Sequence, residues 1–132
     1  MTNPKPIPSS HADLLDRPLI AALATTLPNG TPQVTAVWFN YEGGYIHINS
    51  AAGRLKDRAI RANPYVALMV MDPADPYRYI QVRGPVVEIT EAGGAEHINF
   101  LSHRYEGKDY DLPAGQVRVR YRIAPEHIDT HQ

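Results

Sequence analysis

Four cationic side chains lie close together near the middle of the chain, at Arg54, Lys56, Arg58 and Arg61. Only Asp57 opposes them within this segment, although the chain as a whole has a net charge of −1. Guanidinium and ammonium groups at this spacing can hold a multiply charged anion, such as a phosphate, through charge-assisted hydrogen bonds. A solvated helix face that happens to be basic is the alternative interpretation of the same residues.

The residues before this cluster predict a strand that runs into a tight corner. Over Tyr45–Ser50, Ile46 and Ile48 alternate with other side chains, which is the period-two pattern of a half-buried strand. The segment Ser50–Gly53 has only small side chains, so its backbone could lie close to a bound ligand. The strand and the corner would together position the cationic cluster.

The cationic residues themselves lie on a predicted helix. Apolar residues recur at i, i+4 and i+7 from Leu55, the spacing of one helix face, and Asn63-Pro64 ends the pattern. Arg54 and Lys56 lie in the first turn, where the helix dipole disfavours each exposed cation by ~0.3–1 kcal/mol. A bound anion would turn this mismatch into attraction, because free N–H groups and cationic side chains would converge on it.

The composition narrows the classes of protein that the chain can represent. Its 132 residues predict a single domain over 1–132, with a loose, proline-rich arm over Met1–Pro8. The near balance of 13 Lys and Arg with 14 Asp and Glu argues against a general nucleic-acid or membrane-surface binder. The lack of cysteine excludes disulfides, thiol nucleophiles and thiolate zinc sites. With no signal peptide or membrane-spanning run in the sequence, we expect a cytoplasmic protein.

Strand-length patterns recur along most of the remaining chain. The turn signal Pro28-Asn29-Gly30 joins two of them, and a second helix is predicted over Glu91–Glu106. The pattern predicts a mainly β fold, in which about six antiparallel strands close into a small barrel with a few helices. The predicted strands are Leu19–Leu27, Thr31–Tyr41, Tyr45–Ser50, Tyr65–Met71, Tyr77–Ile89 (with a bulge or barrel corner at Gly84-Pro85) and Gln116–Ile123, followed by a short strand over Glu126–His131.

Two of these strands have side chains that matter for a site. In Thr31–Tyr41 both faces are largely apolar, so we expect core packing on one face and a ligand or partner chain on the other. In Gln116–Ile123, Arg118, Arg120 and Arg122 alternate with apolar residues, so we expect the arginines to form a solvated outer face. An anionic substrate tail is the alternative partner of this arginine ladder.

The histidines do not predict a metal site. His97 and His103 lack the i, i+4 spacing that puts two ligands on one helix face, and no HExxH motif is present. His47 could protonate a substrate, but a partly satisfied surface histidine is the better interpretation. The sequence also lacks the GxSxG, P-loop and GxGxxG motifs, so esterase, NTPase and Rossmann functions have no local support.

The order of these pieces resembles the pyridoxamine 5′-phosphate oxidase-like split-barrel superfamily, and within it the small branch that uses the deazaflavin coenzyme F420. The resembling segments are Leu23–Phe39, Tyr45–Leu68 and Tyr79–Ile89. The resemblance implies a six-stranded antiparallel split barrel of the FMN-binding type, which forms a homodimer with its cofactor in a groove at the interface. In such proteins the cofactor phosphate meets the basic residues that open the first crossing helix, here Arg54 and Lys56, with Arg58 as a further candidate.

The same resemblance places the cofactor ring along the second predicted strand. It implies ring contacts from Thr35 and Val37, although strand formation alone would also explain these two residues. Asn49 and Ser50 could bond ring or ribityl oxygens, and Tyr79, with Gln81, could line the groove from the partner subunit. The full set of predicted cofactor-binding residues is Gln33, Thr35, Val37, Trp38, Asn49, Ser50, Arg54, Lys56, Arg58 and Tyr79.

The resemblance implies an F420-dependent oxidoreductase that transfers a hydride between the deazaflavin and a small unsaturated or quinone-like substrate. Because the cofactor carries such a reaction, no catalytic side chain is assigned. An FMN-binding oxidoreductase of the same fold and a non-catalytic carrier of flavin or F420 remain open alternatives. The short chain lacks the further phosphate and substrate contacts of the flavin-using oxidases, which favours F420 over FMN.

Overall fold

The computed structural model describes residues 3–132, and within them the chain forms eight strands and three helices. None of the helices in this described range is long and apolar enough to cross a membrane. The helices are α1 (Asp13–Asp16), α2 (Leu55–Ala62) and α3 (Gly94–Glu106). The strands are β1 (Ala21–Thr26), β2 (Pro32–Val37), β3 (Asn40–Glu42), β4 (Tyr45–Ala51), β5 (Tyr65–Asp72), β6 (Asp75–Thr90), β7 (Arg118–Ile123) and β8 (His127–His131).

The long strand β6 joins the two halves of the fold. The strands pair antiparallel in the order β2-β1-β5-β6-β7-β4-β3, with β8 also beside β6. Up to Pro85, β6 pairs with β5, and from Val86 it pairs with β7, with a register shift before Glu88. At Gly84 a Cβ would lie 1.8 Å from the carbonyl oxygen of Ala124, so only glycine fits there. The predicted corner at Gly84-Pro85 is confirmed, and the mainly β split barrel is the fold that was predicted.

One hydrophobic cluster fills the space between the two halves. Leu23 and Leu68 come from the first half, and Ile48 and Tyr121 come from the second; each is at most 1% exposed. Leu14 of α1 packs into the same cluster. Full burial of one such aliphatic side chain contributes about 1.5–3 kcal/mol, so this shared core holds the halves together.

The strand predicted over Thr31–Tyr41 is in fact two strands, β2 and β3, in different halves of the barrel. The prediction of one continuous strand was wrong because the chain breaks at Phe39, whose side chain is fully buried. The backbone of Phe39 bonds to α3 rather than to a strand: its N–H donates to the Tyr105 hydroxyl at 3.1 Å, and its carbonyl accepts from Arg104 Nε at 3.1 Å. This break adds one strand to the six predicted, and β8 is the short terminal strand predicted over Glu126–His131, so the count is eight.

The predicted loose arm contacts the barrel. Met1 and Thr2 lie outside the described residues. From Asn3 onward, the backbone N–H of Lys5 donates to the carbonyl of Pro125 at 2.8 Å, and Ile7 packs against the hydrophobic core. These contacts hold the described part of the arm against the end of β7.

Candidate functional site

A groove of about 220 Å³ opens where the end of β2, the start of α2, the middle of α3 and the start of β7 come together. One wall is apolar and aromatic, and the other carries cationic groups. None of the lining residues, all within the described part of the chain, is acidic. They are Ala36, Val37, Trp38, Asn49, Arg54, Lys56, Ile98, Leu101, Tyr110 and Arg118.

The cationic wall begins at the corner between β4 and α2. Arg54 is the N-cap residue of α2, with an extended backbone, and Lys56 lies in the first turn. Gly53 turns the chain with a φ of +85°, a conformation that residues with side chains rarely adopt. The corner therefore presents both cationic side chains to the groove.

Asp57 holds this corner from beneath. Its buried carboxylate accepts hydrogen bonds from the backbone N–H of Gly53 at 2.9 Å, from Arg61 Nε at 3.0 Å and from the Tyr121 hydroxyl at 2.5 Å. Burial raises the pKa of Asp57, but these hydrogen bonds outweigh it, so the net pKa lies below its ordinary value. The ionised carboxylate of Asp57 is thus engaged by these three donors, and it does not neutralise the cationic side chains that line the groove.

Arg118 supplies a third cation, although the strand pattern predicted that its side chain would face the solvent. We expected a solvated side chain, but Arg118 is 7% exposed and lines the groove. Its Nε donates to Asn49 Oδ1 at 2.8 Å, and its Nη1 donates to Gln116 Oε1 at 2.9 Å. The guanidinium also lies 5.3 Å from the centre of the Tyr110 ring. The alternation of residues along the strand could not reveal the burial of Arg118. It is the first residue of β7, and Tyr110 and the loop that precedes the strand cover it.

The three cations in the groove repel one another, and none of the lining residues given above is an acid that could offset this repulsion. Burial, and then the charges of Arg54 and Arg118, hold the pKa of Lys56 below its ordinary value. Burial lowers the pKa of Arg118 as well, and repulsion from Arg54 adds to this effect. A bound anion would relieve the repulsion, so this wall of the groove fits a phosphate or a similar multiply charged group.

The apolar wall offers a flat surface to a ring. Trp38 stacks on Tyr105 of α3, with ring centroids 5.3 Å apart and planes 12° from parallel. Ile98 and Leu101 of α3 extend the apolar surface, and Val37 contributes the end of β2. Because the stacked Tyr105 also bonds the carbonyl of Leu19 at 2.6 Å, the orientation of this wall is fixed by the core.

The groove gathers five of the ten predicted cofactor-binding residues, namely Val37, Trp38, Asn49, Arg54 and Lys56. The other five, Gln33, Thr35, Ser50, Arg58 and Tyr79, do not line it. Their roles stay predictions. The groove adds Ala36, Ile98, Leu101, Tyr110 and Arg118, which the prediction did not include.

The five predicted residues outside the groove lie on four different elements. Gln33 and Thr35 lie on β2, where Gln33 Oε1 accepts a 3.4 Å bond from the hydroxyl of Thr25. Ser50 is 1% exposed within β4, and Arg58 is exposed on α2. Tyr79 lies on β6, where its ring stacks on that of His131 at 5.2 Å.

No three His, Cys, Asp or Glu side chains of residues 3–132 come together as a metal site would require. His103 pairs with Asp109 on the surface at 2.6 Å. His47 and His97 lie beside a second pocket, with ring centroids 6.2 Å apart.

An exposed apolar surface lies next to the groove, on the outer side of β2, β1, β5 and β6. We call it the outer apolar face, and Val34 is 68% exposed and Met71 46% exposed on it. Ala36 belongs both to this face and to the groove. Its members are Ile20, Ala22, Ala24, Val34, Ala36, Ala67, Met69 and Met71, with Tyr79 and Gln81 opposite Met71 and Met69.

Comparison with known proteins identifies the family. The sequence profile of the pyridoxamine 5′-phosphate oxidase family matches residues 7–132. The chain belongs to this family. The predicted superfamily is thereby confirmed, and the groove described above is the candidate site of this family member. No curated protein sequence matched the chain.

Solved structures agree with the family assignment. A protein described as an F420 reductase is 40% identical, with a TM-score of 0.85, over 93% of this chain and 98% of that one. A conserved hypothetical protein, Rv2991 from Mycobacterium tuberculosis, is 24% identical, with a TM-score of 0.77, over 100% of this chain and 88% of that one. General stress protein 26 from Bacillus anthracis shares the fold at 20% identity and a TM-score of 0.69, over 91% of this chain and 89% of that one.

Proposed function

We propose that this protein is an F420-dependent oxidoreductase that transfers a hydride between the deazaflavin and a small unsaturated or quinone-like substrate. The observation that carries the proposal is the groove itself, in which Arg54, Lys56 and Arg118 converge without an acid beside the flat wall at Trp38. A cofactor with a phosphate and a planar ring has the two groups that these walls complement.

Each wall has a separate task. Arg54, Lys56 and Arg118 would bind the phosphate, and the surfaces of Val37 and Trp38 would hold the ring and exclude water from one of its sides. When bound, the deazaflavin supplies the two-electron chemistry. The protein needs only to bind and orient the ring and its reaction partner, because correct positioning accounts for a large part of such catalysis.

The family and the similar F420 reductase support a flavin-type cofactor, and two features favour F420 over FMN. The 40% identical structure spans nearly the whole chain and is described as an F420 reductase. In addition, the exposed side chain of Arg58, one turn beyond Arg54, could pair with the long anionic tail that F420 has and FMN lacks. An exposed pair of this kind contributes only ~0.2–1 kcal/mol and weakens with salt.

We propose further that the protein is a homodimer that buries the outer apolar face. A contiguous exposed apolar surface of this kind is typical of a protein interface, and two-fold pairing is the commonest way to cover one. Because Ala36 continues the face into the groove, a second copy would border the cofactor and bring its own Tyr79 and Gln81 close to it. This arrangement would give Tyr79 the role that the family resemblance implies.

The deciding experiment titrates the purified protein with F420 and with FMN at low and high salt, and then follows oxidation of reduced F420 by quinones and enones. We expect tighter binding of F420, a preference that shrinks with salt, and turnover of at least one acceptor. Tight FMN binding without F420 binding would overturn the cofactor assignment. F420 binding without turnover of any acceptor would instead indicate a carrier.

A further inference from the structure

A chain of hydrogen bonds runs from the groove across the outer face of β4 and β7, beneath α3, to a second pocket. Arg118 Nε donates to Asn49 Oδ1 at 2.8 Å. Asn49 Nδ2 lies 3.2 Å from His97 Nδ1, and His97 Nε2 lies 2.8 Å from Asn40 Oδ1. The second pocket, of about 440 Å³, is lined by Asn40, Glu42, His47, Gly93, Glu96, His97, Phe100 and Arg120.

The direction of every bond in this chain follows from Arg118. A guanidinium can only donate, so the oxygen of the Asn49 amide must face Arg118, and its NH₂ group must face His97. His97 Nδ1 must then accept, which leaves the proton of the neutral ring on Nε2. That proton is donated to the oxygen of Asn40. The four side chains are therefore consistent with one another in only one arrangement of donors and acceptors.

Burial makes this arrangement costly to break. Asn49 is 8% exposed and Asn40 is 7% exposed. Asn49 Nδ2 also donates to the carbonyl of Gly94 at 2.9 Å, so both of its protons are engaged within the protein. The start of α3 packs closely against β7 at this point: a Cβ on Gly94 would lie only 2.2 Å from the carbonyl oxygen of Arg118. Asn49, predicted to bond the cofactor, thus has no donor left for a ligand.

We propose that His97 and Asn49 are positioning residues, which hold the Arg118 guanidinium in the groove through this one-directional relay. The inference rests on the proposed function in one respect, namely that Arg118 contacts the anionic part of the cofactor. The orientation of Arg118 itself is set by hydrogen bonds within the chain. His97 lines the second pocket and not the groove, so it acts on the groove through Asn49.

His97 stays neutral in the relay over the ordinary pH range. Burial, and then the positive charges of His47 and Arg120, lower the pKa of His97 to about 4. Asn49 and Asn40 hydrogen-bond the two ring nitrogens of His97. The Phe100 ring stacks on the His97 ring, with centroids 6.4 Å apart. The acidic residues that line the same pocket are Glu42 and Glu96. Protonation would place a proton on Nδ1, against the NH₂ group of Asn49, and would disrupt the support of Arg118.

Nuclear magnetic resonance of the ligand-free wild-type protein tests the relay directly. We expect ¹⁵N shifts that identify His97 as the neutral Nε2–H tautomer at pH 7, and an Arg118 Nε–H signal that exchanges slowly with solvent. A charged His97, the Nδ1–H tautomer or a rapidly exchanging Arg118 Nε–H would overturn the proposal. This measurement needs no substitution, so it does not depend on whether a variant folds.

Two substitutions in α3 then separate the positioning of Arg118 by His97 from a general effect of altering a histidine in this helix. His97→Phe keeps a planar ring but removes the acceptor, whereas His103→Phe changes an exposed histidine that bonds only Asp109. We expect faster exchange of Arg118 Nε–H in His97→Phe only. F420 should bind roughly three- to tenfold more weakly to His97→Phe, and with unchanged affinity to His103→Phe.

A double-substitution cycle decides whether Asn49 acts through Arg118. Asn49→Leu should weaken F420 binding by roughly tenfold or more in the wild-type background and have little effect once Arg118→Met is present. Additive effects of the two substitutions would overturn the positioning role. If wild-type protein binds no F420 but retains the expected Arg118 and His97 signals, the proposed function fails and the relay stands.

Discussion

The hydroxyl of Tyr121, in the core strand β7, donates a 2.5 Å hydrogen bond to the carboxylate of Asp57, in the first turn of α2. Tyr121 is fully buried, and Asp57 is 3% exposed. Burial, and then the carboxylate of Asp57, raise the pKa of Tyr121 far above its ordinary value, so its hydroxyl remains a donor. The hydrophobic core thus fixes the helix turn that carries Lys56.

Removing this hydroxyl should destabilise the fold. Tyr121→Phe leaves the buried Asp57 carboxylate with one donor fewer, and we expect the free energy of unfolding to fall by about 1–3 kcal/mol. Urea denaturation measures this change, and the matched control is Tyr77→Phe, because Tyr77 is 75% exposed. Equal stability of the two variants would contradict the role assigned to the bond.

Lys56 should contribute directly to cofactor affinity. A charge-assisted hydrogen bond contributes about 1.5–3 kcal/mol, so Lys56→Met should weaken F420 binding roughly ten- to a hundredfold. Fluorescence titration measures the affinity, and Lys5→Gln, at an exposed position beside Pro125, removes a positive charge away from the groove as a control. The loss should shrink at high salt, because ions screen partly exposed charges. Unchanged affinity in Lys56→Met would exclude this residue from the phosphate site.

The stability of the protein should depend on His97 between pH 6.5 and 4. The pKa of His97 falls from the ordinary 6.5 to about 4 on folding, so the unfolded chain binds more protons in this window. The contribution of neutral His97 is therefore complete above pH 6.5 and is lost as the pH falls toward 4. We expect this loss to be about 1–3 kcal/mol.

Urea denaturation across this window, in wild-type protein and in His97→Phe, measures the contribution. The wild-type curve should fall more steeply with acid than that of the variant. The pKa of His47 is also lowered, by burial first, so the difference between the two curves, rather than the wild-type slope alone, isolates His97. Parallel curves would mean that His97 titrates equally in the folded and unfolded states.

A charge on the outer apolar face should disrupt dimerisation. Val34→Lys would place an ammonium group in the centre of the proposed interface, where a charge has no partner. Sedimentation at micromolar concentration should show a wild-type dimer and a Val34→Lys monomer, whereas Val87→Lys at a 41% exposed position of β6 should remain dimeric. A monomeric wild-type protein would contradict the interface and, with it, the placement of Tyr79 beside the groove.

The local pattern of the sequence determined most of the elements. Alternation of Ile46 and Ile48 defined β4, the apolar spacing from Leu55 defined α2, and the pair Gly84-Pro85 marked the corner of β6. Each of these signals depends on near neighbours in the chain, because side-chain periodicity and backbone restrictions are local properties. The unusual charge at the start of α2 likewise identified Arg54 and Lys56 without any knowledge of the fold.

The tertiary structure decided which side chains are buried and which segments of the chain contact one another. Periodicity placed Arg118 in the solvent with Arg120 and Arg122, whereas contacts with Asn49 and the loop before β7 bury it in the groove. The apolar pattern of Thr31–Tyr41 could not reveal the break at Phe39, because that break is set by bonds to α3, more than sixty residues away in the chain. Hydrogen bonds between distant segments leave no periodic signal, so the third cation and its relay to His97 became visible only when β4, β7 and α3 came together.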